Sequence, residues 1–406
     1  MFPVLFHIPG INYDLPGYGV AMMIGFLLSI MWAARRALRS GADPDVILDC
    51  GFIALIGGVI GSRAMYVVHY WDQFAYRGST AQVIWAIIDV RKGGLEVYGG
   101  FICVVVLVLL YLWRKKHSIR WYLDIAAPSA ALGMAMGRVG CFLNGCCWGV
   151  VAHQVPWAVQ FPYGSPAMAQ QWTDRVPGAE LPQQVLAFGQ WPDGSTAVPL
   201  PRETLWATDR ELDAARKAYE GILAKAKEQQ VRLDQTTDPE ERLRILKEVD
   251  AATRAAIPPS SHYLEYAAPL MSKYNLSAAE LRQFARQHLS LPVHPTQLYS
   301  VGALGLLAWL LGALYWRRRF DGQVICTLLF VEPPTRFVLE LLRADNPVDT
   351  AGFTVSQFLS LCISAVGLLG LFWLRRLPAR SPRAAVWEPP PEEQPVPKKT
   401  KRPLGT

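Results

Sequence analysis

The sequence is short of charge and short of cysteine. Of its 406 residues, 18% are Asp, Glu, Lys or Arg, and seven are Cys. Seven cysteines are too few and too scattered for a disulfide scaffold, so the fold has to rest on apolar burial. No basic n-region or small-residue cleavage site accompanies the first apolar run, which is therefore expected to be a retained span and not a signal peptide. No inverted repeat and no pair of interrupted spans is evident, which argues against an anion transporter built on such repeats. The basic excess, a net charge of +7 with pI near 9.0, is distributed in a way that suits a membrane and not nucleic acid.

What the chain has in abundance is apolar length. It is 51% hydrophobic with a mean hydropathy of +0.17, and runs of about twenty residues recur, each able to cross ~30 Å of hydrocarbon at ~1.5 Å per residue. Seven are read, at 16–34, 46–69, 97–113, 122–142, 294–316, 322–343 and 354–374. Basic residues follow alternate runs: Arg35, Arg36 and Arg39; Arg114, Lys115, Lys116 and Arg120; Arg317, Arg318 and Arg319; Arg375, Arg376 and Arg380. By the positive-inside rule these ends face the cytoplasm. The expected fold is thus an all-α, polytopic seven-span membrane bundle, N-out and C-in, with a helical extracytoplasmic insertion.

Residues 1–149 hold spans one to four, 150–290 the insertion, 291–377 spans five to seven, and 378–406 a Pro-rich, charged tail expected to be disordered in the cytoplasm. Within the insertion, Thr208 with Glu211 and Ser277 with Glu280 read as capping boxes. "TDPEER" offers Asp238 as an N-cap with Pro239 and Glu241 behind it, and so a helical hairpin. The insertion reads as an extracytoplasmic cap, or as a solvated addition with no direct part in chemistry, since charged helical surfaces are usually solvated faces.

Arginine at membrane depth costs roughly 2.5–3.5 kcal/mol on insertion scales and marks function by default. Arg63 lies in span two, Arg138 in span four, and "TRFVLELLRAD" sets Arg336, Glu340 and Arg343 on one side of span six. Either this is an ion pair that only fixes packing, or, with two arginines to one carboxylate, cationic charge is left over. Surplus guanidinium suits a phosphate, whose oxygens its planar fork matches, and hence a phospholipid headgroup. Gly57 and Gly61, and Gly99 and Gly100, read as close helix packing. "EPP", Glu332 to Pro334, is expected to interrupt span six beside a polar cavity.

Four motifs in order resemble those of the prolipoprotein diacylglyceryl transferase family. "GRVGCFLNGCCWG", 137–149, is similar to the family's Gly-Arg-x-Gly-Asn-Phe-x-Asn-Gly-Glu-x-x-Gly; "HPTQLYS" opens span five, "RFVLELLRAD" lies in span six and "YGVAMMIGF" in span one. The resemblance implies transfer of the diacylglyceryl group of phosphatidylglycerol to the lipobox cysteine thiol of a prolipoprotein. A thioether forms and glycerol phosphate leaves, in a bacterial cytoplasmic membrane with the site on its extracytoplasmic side. It implies no cofactor and no metal. Carried over by position, Arg138 and Arg336 hold the phosphate; Glu340 and Arg343 orient Arg336; Tyr18, Asn144 and Gly149 shape the pocket; His294, Gln297 and Tyr299 line the mouth of span five.

Three positions depart from the pattern. Tyr98 stands where the family has a histidine, its candidate base, while Cys141 and Cys146 replace the signature asparagine and glutamate. An ordinary phenol is a poor base at neutral pH. Tyr98 is therefore activated by nearby arginines, acts only by hydrogen bonding, or leaves the proton to another group. The losses also leave open a non-catalytic relative that binds or moves phospholipid. Cys50, Cys103, Cys326 and Cys362 read as small core residues. For Cys141, Cys146 and Cys147 three readings stand: packing residues, a disulfide, or a zinc site with an unfamiliar ligand spacing.

Overall fold

The computed structural model describes residues 4–8, 13–75, 79–90, 93–188, 197–235, 262–345 and 352–384, with the single residues 244, 247 and 386. In chain order they form β1 (Val4–Ile8), β2 (Tyr13–Pro16), α1 (Gly17–Ser40), α2 (Pro44–His69), α3 (Asp72–Ala75), α4 (Thr80–Ile88), α5 (Val97–Arg114), α6 (Ile119–Asn144), α7 (Pro166–Thr173), β3 (Leu186–Phe188), β4 (Ala197–Pro199), α8 (Asp209–Gln235), α9 (Leu264–Lys273), α10 (Ala278–Gln287), α11 (Thr296–Arg317), α12 (Gln323–Glu340) and α13 (Val355–Leu374). Six helices, α1, α2, α5, α6, α11 and α13, are long and apolar enough to cross a membrane. The protein is a mostly helical, polytopic membrane protein. The expectation of an all-α fold is corrected by two antiparallel hairpins, β1 with β2 and β3 with β4. Helix α12 has the length of a span but carries Glu332, Arg336 and Glu340, which lower its hydropathy.

The chain divides into two compact units: Met1–Ala21 with Gly137–Val301 and Val338–Thr354, and Met22–Met136 with Gly302–Phe337 and Val355–Thr406. In the second, α2 and α5 meet through glycine. A Cβ on Gly99 would lie 2.5 Å from the Gly61 carbonyl oxygen and 2.3 Å from Met65 Cβ; one on Gly61 would lie 2.3 Å from Cys103 Cβ. Without side chains at these positions the two backbones close to contact distance. A core of Leu112, Ile125, Leu311 and Tyr315 fills the unit.

Two expectations fail in this unit for identifiable reasons. "EPP" does not break its helix, because α12 runs through Pro333 and Pro334. Pro334 has no N–H for the Phe330 carbonyl, and Ser364 Oγ of α13 donates to that oxygen instead at 3.1 Å. Gly367 allows the approach, since a Cβ there would stand 2.6 Å from Phe330 N. Arg63 is not free for a ligand. Its guanidinium donates to the carbonyls of Ala86, Ile87, Asp89, Gly93 and Gly94 at 2.7–3.0 Å, so it closes the C-terminal end of α4 and the loop that follows.

Two basic residues of the span-end clusters are also turned inward. Arg36 is buried, donating to the Ile125 carbonyl at 2.6 Å and lying 4.5 Å above the Trp32 ring. Arg318 pairs with Asp321 at 3.3 Å and with Asp124 at 3.6 Å. Asp124 itself, fully buried in α6, accepts from the backbone N–H groups of Gly322, Val324 and Ile325. It caps the start of α12 from another helix, satisfying donors the first turn cannot. Of the segment expected to be disordered, 379–381 is tied to Asp321, whose N–H donates to the Ala379 carbonyl and whose Oδ2 accepts from Ser381 N–H, both at 2.8 Å; residues 387–406 lie outside the described residues.

In the first unit the insertion has a core of its own, among them Tyr163, Met168, Val185, Leu200, Leu212, Leu270, Met271 and Leu281. Both expected capping boxes form. The Glu211 carboxylate accepts from Thr208 N and Oγ1 at 2.7 Å, and Glu280 from Ser277 N at 2.8 Å and Oγ at 2.7 Å. The "TDPEER" helix start lies outside the described residues.

Candidate active site

The signature stretch is the end of α6 and the turn behind it. Gly145 N–H reaches the carbonyls of Cys141 and Phe142 at 2.9 and 3.2 Å, and Cys146 N–H reaches Cys141 O at 3.1 Å. With Gly145 at φ +76, this is a Schellman cap, in which a left-handed glycine satisfies the helix's last carbonyls. Such a cap brings the side chain three positions before the cap residue against that two positions after it, here Cys141 and Cys146. Cys147, also left-handed at φ +61, turns its sulfur to the same place. The three Sγ atoms lie within 4.8 Å of one another, all partly buried free thiols. Hydrogen bonds from Cys141 and Cys146, with the Arg343 and Arg138 guanidinium groups against the cost of burial, hold Cys147 well below the usual thiol range.

The start of α11 fixes this turn from the other side. Thr296 Oγ1 donates to the Cys147 carbonyl at 2.6 Å, and Gln297 Nε2 to the Cys146 carbonyl at 2.7 Å. Gln297 is 1% exposed, and its Oε1 has no hydrogen-bond partner among the described residues. Tyr299 hydroxyl accepts from Trp157 Nε1 at 2.7 Å and stands 3.2 Å from His294 Nδ1, to which it can donate. The three residues expected at this mouth therefore face two tasks: Gln297 holds the cysteine turn, and His294 with Tyr299 forms a separate polar pair.

Gly149 is where three segments meet. It donates to the His294 carbonyl at 3.0 Å and pairs with Arg343, while Val150 N–H reaches Leu342 O at 2.8 Å. A Cβ on Gly149 would fall 2.6 Å from His294 Cβ, 2.8 Å from His294 O and 2.9 Å from Leu342 O. Tyr18 approaches in the same manner: its ring would be 2.9 Å from a Cβ on Gly140. Asn144 is the last residue of α6, immediately before the capping glycine.

Of the two arginines at 336 and 343, it is Arg343 that the carboxylates meet. Helix α12 ends at Glu340, so Arg343 is reached through a turn. There it pairs with Glu340 at 3.2 Å and with both oxygens of Asp345 at 2.9 and 3.1 Å. The second carboxylate, two residues on, neutralises it. Arg138 differs: half-buried in α6, it has no ion pair or hydrogen bond with any described residue. Arg336 and Tyr98 belong to the second unit. Arg336 Nε donates to Ser356 Oγ at 2.9 Å, and Tyr98, 45% exposed, stands in the first turn of α5. Sequence reasoning missed Asp345, Asp124 and Ser356, of which only Asp345 lay inside a quoted motif.

The family description "Prolipoprotein diacylglyceryl transferase" matches residues 3–212 and 236–373. The chain belongs to the prolipoprotein diacylglyceryl transferase family. Among curated relatives named phosphatidylglycerol–prolipoprotein diacylglyceryl transferase, that of Rhodopirellula baltica is 39% identical over 155 residues, 38% of this chain and 31% of the relative. That of Pseudoalteromonas translucida is 34% identical over 166 residues, 40% and 59% of the two chains. That of Idiomarina loihiensis is 32% identical over 203 residues, 48% and 73%. The matched stretches thus span about a third to three quarters of these relatives. Of the residues expected from the resemblance, Arg138, Asn144, Gly149, His294 and Arg343 all belong to the first unit.

Proposed function

We propose that the chain transfers the diacylglyceryl group of phosphatidylglycerol to the lipobox cysteine of a prolipoprotein, forming a thioether and releasing glycerol phosphate. One observation carries this reading: Arg138, a half-buried guanidinium in the signature helix, makes no hydrogen bond or ion pair with any described residue. An unmatched cation at membrane depth suits an anion brought in by lipid. Arg138 and Arg336 hold the phosphodiester and stabilise the charge that grows on it as the C–O bond breaks. Glu340 and Asp345 hold Arg343, whose backbone positions Gly149. Tyr18 and Asn144 shape the pocket, and Gln297 holds its floor. His294 and Tyr299 face the acceptor peptide, and Tyr98 hydrogen-bonds substrate.

In this reading α12 is a seventh span, the N-terminus lies outside, and the site opens on the extracytoplasmic face of a bacterial inner membrane. The exposed members of the basic clusters, Arg35, Arg39, Arg114, Lys115, Lys116, Arg317, Arg319, Arg375, Arg376 and Arg380, support that orientation.

The test adds the purified chain to phosphatidylglycerol vesicles with a lipobox peptide. A diacylglyceryl-peptide thioether is expected by mass spectrometry, at least ~100-fold weaker in Arg138→Ala if one charge-stabilising contact supplies ~3 kcal/mol. Saturable lipid binding with unmodified peptide would instead establish a non-catalytic relative and end the transferase reading.

A further inference from the structure

The three thiols at the capped end of α6 have a geometry that packing alone does not require. A Schellman cap explains contact between Cys141 and Cys146. It does not explain why the next residue is a third cysteine held at φ +61, a backbone region costly for any residue with a Cβ. The consequence is three sulfurs within 4.8 Å of one another. Tetrahedral zinc with Zn–S bonds of ~2.3 Å separates its sulfurs by about 3.8 Å, so about 1 Å of closure completes a site. A disulfide needs ~2.05 Å and leaves one thiol over. The backbone is already fixed for ligation, since the carbonyls of Cys146 and Cys147 are held by Gln297 and Thr296. Buried Gln297 Oε1 beside them has no partner among the described residues. Among those residues no fourth His, Cys, Asp or Glu joins the cluster. Three protein ligands with an open fourth position is the form of a catalytic zinc site, not of a structural one.

We propose that Cys141, Cys146 and Cys147 bind one Zn2+ as thiolates and that the acceptor cysteine of the substrate takes the fourth position. The inference rests on the transferase reading for the identity of that fourth ligand. The acceptor S–H bond breaks, its proton passes to the water that it displaces, and a Zn–S bond forms. The sulfur lone pair then attacks the glyceryl CH2 that carries the phosphodiester oxygen. The C–O bond breaks with its electron pair remaining on phosphate, the S–C thioether forms, the Zn–S bond is released, and water returns to the metal. Zinc thereby supplies the thiolate without a general base, and the tyrosine at position 98 needs no such role.

The experiment uses the full chain purified in detergent. Elemental mass spectrometry is expected to find one zinc per chain, absent from Cys141→Ser/Cys146→Ser/Cys147→Ser. Zinc is expected to shield these three thiols from alkylation in the unsubstituted protein, which keeps the test valid if the triple variant misfolds. With Co2+ in place of zinc, a lipobox peptide carrying Cys should add thiolate-to-cobalt absorption, and the same peptide carrying Ser should not. Unshielded thiols, a disulfide by intact mass, or a cobalt spectrum indifferent to the Cys peptide would overturn the proposal. Thioether formation by metal-free protein would overturn it and leave the transferase standing. Zinc and the peptide response without thioether on phosphatidylglycerol vesicles would keep the site and remove the transferase.

Discussion

Gly149→Ala puts one methyl group where three segments converge. The new Cβ would lie 2.6 Å from His294 Cβ, 2.8 Å from His294 O and 2.9 Å from Leu342 O. None of these atoms is the end of a flexible side chain, so relief requires the 149–150, 293–294 and 342–343 segments to part. Parting stretches two hydrogen bonds, Gly149 N–H to His294 O at 3.0 Å and Val150 N–H to Leu342 O at 2.8 Å. Overpacking of this kind costs about 1–3 kcal/mol, and weakening two hydrogen bonds adds about 1 kcal/mol, a total of about 2–4 kcal/mol. The displacement is also aimed at function, because it moves His294 and the backbone of Arg343 together. Denaturant titration in detergent is expected to show the loss of stability, and turnover on phosphatidylglycerol vesicles should fall while lipid still binds. An alanine variant with the parental unfolding midpoint and full turnover would refute the steric argument.

Arg63→Lys should destabilise without touching phosphate binding. An ammonium has three donors against the five hydrogen bonds now made, and about 1–3 kcal/mol should go, read as faster hydrogen exchange over 86–94. Unchanged exchange there would return Arg63 to the list of ligand-binding candidates. Gly99→Ala should cost about 1–3 kcal/mol by forcing α2 from α5, whereas Gly305→Ala, which meets nothing within 4 Å, should be neutral or gain up to ~1 kcal/mol of helix propensity. Equal effects in thermal unfolding would show that the α2–α5 contact is not tight. In the insertion, hydrogen bonds from Thr208 and Ser277 hold Glu211 and Glu280 below their ordinary range. A depressed carboxyl stabilises fully above its unfolded pKa of about 4.3 and loses that contribution as pH falls through the lower folded value. The first turns of α8 and α10 should therefore fray only in acid, by amide exchange. Glu211→Gln and Glu280→Gln should flatten that dependence while keeping the boxes.

The helices were legible because length and hydropathy decide them locally. The seven runs read at 16–34 through 354–374 correspond to α1, α2, α5, α6, α11, α12 and α13. Local chemistry also made the capping boxes legible. What was not legible is which partner each charge meets. Arg63 looked like a ligand arginine because its acceptors are backbone carbonyls, which no side-chain pattern records. Asp124 caps a helix that begins about 200 residues later, a relation that only folding creates. "EPP" read as a break because a proline pair removes two helix donors, and the compensating donor is Ser364 on a different helix. The small helices α3 and α4 went unread, although Ser79 with Gln82 before an apolar run had the form of a helix start. In the signature, the meeting of three sulfurs follows only once the Schellman geometry is known.

The arginines taken together give the functional reading its strongest physical ground. A guanidinium withdrawn from water must find acceptors, and the described structure supplies them for nearly every candidate. Arg36 has the Ile125 carbonyl and Ser129, Arg63 has five carbonyls, Arg318 has two aspartates, and Arg343 has Glu340 and Asp345. Arg336 is held through Nε by the neutral hydroxyl of Ser356, which orients the group without cancelling its charge. Arg138 has none of these, although it is half-buried at the same end of α6 as the three thiols. Among the described residues the other deep arginines find acceptors within the chain and Arg138 does not, which is the ground for proposing that its acceptor is brought in by substrate. The proposed lipid phosphate is such an acceptor, an oxygen-rich anion whose geometry the guanidinium fork matches.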